Sequence, residues 1–304
     1  MLDNDYPDIN QCLNFVTAKS RRLWERNVNH IDFLKVRLGR GEMKSPNEIT
    51  VPKERFSLID DSLAEEPQKI KTEFSILKGV PVGISLRTNN LVGVVGDSQE
   101  TCNKIAQLLA VQIAAYHAYT DVRLAFIFDE REAKDFEFAK WLPHTWSTDG
   151  SMRMMACNSN GVGELFYDFS AILRERMEEK QNPAEKNRPL PHYVVFISAP
   201  ALVENEAIMK YLSSPTEQMG LTTIMLYGQI DRLPNNCTVI IQNDEEYRGY
   251  FSLENNFSGY GEVAIDTINN AQLNEFSRTL SNIRVREMHI AGAPPQLLSF
   301  LDMY

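Results

Sequence analysis

Apolar positions along this chain fall into short continuous runs separated by longer stretches of helical periodicity, the pattern of an α/β protein with a buried sheet. The clearest instance is 91–119, LVGVVGDSQETCNKIAQLLAVQIAAYHAY. An apolar strand at 91–95 runs into Gly96, six polar residues follow, and an amphipathic helix carries the chain to Tyr119. Later buried-strand runs are VRLAFIF, HYVVFI and LTTIMLYG, with CTVIIQ and RGYFSL as a closing antiparallel pair. Helices are expected at 162–179, over ENEAIMKYLSS, and at 273–283. WLPHTW at 141–146 reads as an aromatic packing loop.

The first part of the chain is less regular. Residues 1–40 read as a charged helix, with Phe15, Leu23, Trp24, Ile31 and Leu34 at roughly helical spacing. LGRGEMKSPNEI reads as a glycine turn leading into an extended segment, and 50–72 as a helix flanked by loops, with Asp60 or Asp61 as N-cap. Val82, Ile84 and Leu86 alternate as in a strand, and Thr88-Asn89-Asn90 turns the chain back.

The strand–turn–helix at 91–119 is the frame of a phosphate-binding P-loop, in which helix N-terminal amides face the phosphates. A working loop reads G-x-x-x-x-G-K-[ST]. Aligned on Gly96, this chain places Thr101 where the second glycine belongs, Cys102 for the lysine and Asn103 for the hydroxyl. A side chain at Thr101 penalises the positive-φ wrap, and Cys102 supplies no cation. Lys104 comes one residue late, about 100° around the helix, and Asp97 repels phosphate together with Glu100. The frame remains without the chemistry.

Magnesium-handling acids are missing as well. VRLAFIF ends in Asp129-Glu130, which read as an acidic cap on a strand end; under an alternative reading they are substitute metal ligands. The order of elements makes HYVVFI the stronger strand for those acids, and there Ser198-Ala199-Pro200 stands in place of Asp-Glu. Gln229, at the end of LTTIMLYG, occupies the position of a polar γ-phosphate sensor.

Composition narrows the choices. A net charge of −10 argues against nucleic-acid binding. Cys12, Cys102, Cys157 and Cys237 have neither zinc spacing nor a disulfide framework and read as free thiols. No apolar run reaches the ~20 residues needed to cross a bilayer, so the chain as given reads as a soluble cytoplasmic piece.

In this order, LWERNVNHIDFLKVRLGRG, LVGVVGD, VRLAFIFDE leading to LPH, LRERM, PHYVVFIS and GLTTIMLYGQIDRLP resemble an FtsK/SpoIIIE-type ATPase module. More closely, the set is similar to the membrane-proximal ATPase-like domain of the EssC/EccC family of type VII secretion systems. The resemblance implies a P-loop NTPase-like (FtsK/RecA-like) fold: a central, mostly parallel sheet flanked by helices, preceded by an N-terminal helical and extended segment. It divides the chain into that segment (1–72), a degenerate ATPase domain (73–290) and a linker toward a following ATPase module (291–304). It places an arginine that reaches a neighbouring subunit's nucleotide at Arg174 or Arg176, which otherwise read as solvated or ion-paired helix arginines.

The expected function is that of a non-hydrolysing module coupling a membrane channel to downstream motors. Its partners would be the other domains and subunits of the secretion ATPase, the channel components and, indirectly, exported helical proteins. The implied place is the cytoplasmic face of a Gram-positive cell membrane, reached through transmembrane segments outside this sequence. Docking is expected through Arg21, Arg22 and Arg26 and the loop at 141–150. No catalytic residue and no cofactor is expected. The alternative is a noncanonical ATP/Mg-binding or weakly active domain of the same machine, and a DNA motor is disfavoured by the acidic charge.

Overall fold

A computed structural model describes residues 2–45, 49–51, 65–179, 190–252 and 261–285. The expected helix cap at Asp60 or Asp61, most of the 181–191 linker and the 291–304 tail lie outside the described residues. Ten strands form one sheet: β1 (Lys35–Lys44), β2 (Ile76–Ser85), β3 (Leu91–Gly96), β4 (Val122–Ile127), β5 (Met155–Ala156), β6 (His192–Ile197), β7 (Leu221–Gly228), β8 (Val239–Asn243), β9 (Arg248–Ser252) and β10 (Gly261–Ile265). Their order is β2-β1-β10-β9-β8-β3-β7-β6-β4-β5. Neighbours from β8 to β5 run parallel and those from β2 to β8 antiparallel. The described helices are α1 (Leu2–Asp5), α2 (Ile9–Thr17), α3 (Glu66–Glu73), α4 (Gln99–Tyr116), α5 (Ser159–Glu179), α6 (Met209–Leu212) and α7 (Asn270–Ser281).

The parallel strands read as unbroken apolar runs because both faces are covered. Val92, Val94, Leu124, Phe126, Val194, Phe196, Ile224 and Leu226 share one core with α4, α2 and α7. Ala125, Ile127, Tyr193, Val195, Ile197 and Leu221 point the other way, onto Val162, Leu165, Phe166, Phe169 and Leu173 of α5. α4 is buried on nearly every side, so even its polar residues are pinned: Gln112 accepts from the Arg37 amide at 2.7 Å and donates to the Arg37 carbonyl at 2.8 Å.

Residues 1–40 are not one helix. α2 stops at Thr17, and the chain then turns with positive φ at Lys19, Trp24 and Leu34 before entering β1. The turns are set by the end of α4, whose last carbonyls need donors. The Trp24 amide donates to the Ala115 carbonyl at 3.0 Å, its indole Nε1 to the Ala114 carbonyl at 2.9 Å, and the Arg26 amide to the Tyr116 carbonyl at 3.0 Å. The glycines of LGRG do not turn either. Gly39 and Gly41 lie inside β1, where a Cβ would fall 1.9 Å from the Ala264 carbonyl oxygen and 2.0 Å from that of Glu262. In ENEAIMKYLSS only α6 is helical, after a run of turns. Strand β10, which no sequence pattern announced, joins β1 to β9.

Candidate functional site

Sheet order fixes which strand ends can share a site. β7 lies between β3 and β6, and β6 between β7 and β4. Adjacent strands are about 4.8 Å apart, so the end of β6 lies roughly 10 Å from β3 and that of β4 roughly 14 Å. In open parallel sheets ligands sit beyond the carboxyl ends of the strands. Here that region holds Gly96, the start of α4, Ser198 and the Gly228–Gln229 corner.

Between β3 and α4 only Asp97 and Ser98 are non-helical. Ser98 is an N-cap in extended conformation, its hydroxyl accepting from the Thr101 amide at 3.2 Å. Thr101 donates its hydroxyl proton to Asp97 Oδ1. The residues that would wrap a phosphate are therefore the first turn of a conventionally capped helix. Side chains fill what remains: a Cβ on Gly96 would meet Thr101 Cβ at 3.1 Å and Cys102 Sγ at 3.2 Å. Cys102 is buried with its thiol toward the Val94 carbonyl, and burial pushes that thiol up to about 11, so it stays protonated.

Asn103 is buried in a polar network of its own. It donates to Asp135 Oδ2 at 2.9 Å, and its Oδ1 accepts from Gln99 Nε2, which also donates to the Leu226 carbonyl at 3.0 Å. α4 is thereby tied to the end of β7. Lys104 points away and pairs with Glu100 at 2.7 Å. Gln229 follows Gly228, which takes φ +69, and is exposed.

The strand acids are arranged unexpectedly. Asp129 caps the turn at Glu130–Glu132 and is bound by Arg131 at 2.9 and 3.0 Å, which holds its carboxyl down to about 2. Glu130 is exposed. Glu132, which the sequence did not single out, reaches back so that Ser198 donates its hydroxyl proton to Glu132 Oε2. An acid thus stands at the end of β6 after all, supplied by the loop behind β4. Among the described residues no cluster of three acidic, histidine or cysteine groups could hold a metal ion.

Arg176 cannot serve a neighbouring nucleotide. It is buried, donating to the Met219 carbonyl at 2.9 Å and the Pro191 carbonyl at 2.8 Å, and lies over the Tyr193 ring; Arg174 is exposed. The cysteines are free thiols. The residues present do not fit Mg-ATP as a P-loop holds it: Cys102 replaces the cation, Thr101 the second glycine and Asn103 the hydroxyl, and the Ser98 cap engages the Thr101 amide.

No protein-family model matches the chain. It is 28% identical, over its whole length, to the ESX secretion system protein YukB of Bacillus subtilis (strain 168), and 27% identical over 98% of its length to EccC of Geobacillus thermodenitrificans (strain NG80-2). EssC of Staphylococcus aureus (strain NCTC 8325 / PS 47) is 21% identical over the whole chain. This chain is similar throughout to the EssC, EccC and YukB secretion proteins. It spans about one fifth of the length of these relatives. The solved structure of EssC ATPases 2 and 3 from Geobacillus thermodenitrificans superposes with a TM-score of 0.51 at 10% identity, covering 80% of this chain and 48% of that one, which bears on the fold alone. The fold is that of the FtsK-like P-loop ATPases, with a mixed, mostly parallel sheet flanked by helices. Among the described residues no helix is long and apolar enough to cross a membrane.

Proposed function

We propose that this chain is an ATPase-shaped module of a type VII protein-secretion machine that does not hydrolyse ATP and acts through contacts. The observation that supports this reading is the turn at 96–102, where the Ser98 hydroxyl caps the Thr101 amide and the Thr101 and Cys102 side chains crowd Gly96. Nucleotide exchange at a subunit boundary changes how neighbouring ATPase modules pack. A module without it has one fewer source of differential contact energy, so its interfaces can stay fixed. In the secretion machine it couples the membrane channel to the downstream motor domains, on the cytoplasmic face of a Gram-positive cell membrane. Its partners are other domains and subunits of the ATPase, with exported helical proteins served indirectly.

Docking through the N-terminal segment is confined to Arg21 and Arg22, because Arg26 is a buried structural residue. Titration of the full chain with Mg-ATP by calorimetry tests the proposal. No binding tighter than about 100 µM is expected, equivalent to roughly 5.5 kcal/mol. Tighter binding, abolished by Glu132→Gln, would establish the second reading, a noncanonical nucleotide site using the acid on Ser198. Glu132 is the observation that favours it, in place of Asp129 or Glu130.

A further inference from the structure

At the opposite end of the sheet from Gly96 lies a cleft of about 470 Å³, walled by Tyr119, Arg123, Trp141, Trp146, Arg153 and Arg284. Its charge runs against the chain's net −10. Arg123, Arg153 and Arg284 form no ion pair among the described residues. Asp149, the acid on the same wall, is engaged by the Ser147 and Ser151 hydroxyls at 2.6 and 2.8 Å.

Arg123 is only 7% exposed, yet its Nε has no hydrogen-bond partner. Nη1 donates to the Pro143 carbonyl at 3.1 Å, and the guanidinium lies 5.5 Å from the Tyr119 ring centroid. A buried guanidinium normally finds a carboxylate, since desolvation otherwise penalises its charge. Burial does lower the affinity of this group for its proton, with no carboxylate near enough to oppose the effect. Trp141 and Trp146 remain 40% and 36% exposed, and guanidinium groups already cover a face of each: Arg278 at 4.6 Å and Arg153 at 4.0 Å. Exposed tryptophan with arginine is the composition of an interface hot spot. Rings stacked on guanidinium are poorly placed to sandwich a nucleobase, whereas arginine forks match carboxylates in geometry.

We propose that the Trp141–Trp146–Arg153–Arg284 cleft, with Arg123 at its floor, is a docking site for an acidic segment of a partner protein. Glutamate or aspartate side chains of that segment pair with the arginines, and its apolar side chains lie on the tryptophans. This rests on the reading of the chain as a contact module and specifies the chemistry of one contact.

The probe is a fluorescein-labelled peptide of four Glu-Leu repeats, titrated with the full chain in ~50 mM salt and followed by anisotropy, beside the Gln-Leu peptide. Binding of the glutamate peptide is expected to be at least about tenfold tighter, and to weaken roughly tenfold in Arg284→Glu and several-fold in Trp146→Ala. Both residues are exposed, so unchanged melting temperatures will show that the fold is intact. Equal binding of the two peptides, or indifference to both substitutions, overturns the proposal. So does capture of phosphatidylglycerol vesicles or tripolyphosphate through Arg284 when the peptide is not bound. ATP turnover by the chain would sink the non-hydrolysing reading and leave peptide binding untouched. Lost peptide binding without turnover sinks only the docking site.

Discussion

The two ends of the parallel sheet are built differently. At the carboxyl end, where P-loop proteins hold nucleotide, polar groups satisfy one another over short distances: Ser98 with Thr101, Gln99 with Asn103, Ser198 with Glu132. At the amino end the chain buries Arg26, Arg123, Arg176, His117, His144 and His192. Most of these groups are hydrogen-bonded, and each such bond specifies a position, because leaving a buried polar group unpaired is costly. The end that carries chemistry in P-loop enzymes has become an ordinary helix start, and the opposite end carries the demanding packing. The proposed contact role needs the second and not the first.

Acid should expose that asymmetry most strongly. His117, His144 and His192 are buried, and desolvation pulls them down to about 3, 4 and 3. His117 Nε2 accepts from the Leu34 amide at 3.0 Å, which requires an unprotonated nitrogen. The unfolded chain takes up these protons below its ordinary pKa near 6.5 while the folded chain does not, so falling pH favours unfolding. Between about pH 6 and pH 5 each histidine should remove on the order of 1 kcal/mol of stability per pH unit. Above about pH 8 the three contribute almost no pH dependence. Chemical denaturation at pH 7.5, 6.0 and 5.0 checks this, and a flat profile would break the comparison. Replacing His192, which pairs with Thr222 at 2.9 Å, by glutamine should flatten the slope by about one third.

Arg26→Ala is the next largest effect. The guanidinium donates to the Lys35 and Asp5 carbonyls at 2.7 Å, pairs with Asp32 at 2.9 Å and lies 4.0 Å from the Tyr116 ring centroid. Its removal leaves two carbonyls without donors and should cost about 3 kcal/mol, read as a loss of melting temperature. Arg22→Ala, at a half-buried position beside it, should cost under about 1 kcal/mol. Comparable losses for the two would mean that the turn segment is not anchored as described.

The same contrast explains which parts of the chain were legible in advance. β3, β4, β6 and β7 are continuous apolar runs and were legible as buried strands, whereas the position of β7 between β3 and β6 appears only in the fold. Legibility failed where tertiary contact overrode local pattern. Leu23, Trp24 and Leu34 have helical spacing, but the open carbonyls of α4 draw Trp24 and Arg26 into turns. Gly39 and Gly41 read as a turn because close approach of β10 leaves no trace in nearby residues. Glu132 lies 66 residues from the serine it meets, so only the fold reveals the pair. Arg123 lies inside an apolar strand run, and nothing in neighbouring residues marks it as part of a cleft.

Ser98→Ala gives the smallest effect and bears most directly on the carboxyl end. If the turn is a capped helix start, the Thr101 amide depends on the Ser98 hydroxyl 3.2 Å away, and losing that acceptor should cost about 1 kcal/mol. Ser98→Gly should recover most of the loss, because glycine at an N-cap leaves the backbone free for solvent and costs only about a few tenths of a kcal/mol. A turn kept open for phosphate would behave otherwise. Its amides would be free for an anion, removal of the hydroxyl would change stability little, and affinity for Mg-ATP would be unchanged or higher in the alanine variant. Melting curves of the three proteins with and without ATP therefore separate a helix cap from a latent phosphate cradle. The cap predicts an ordering of serine, then glycine, then alanine that nucleotide does not alter.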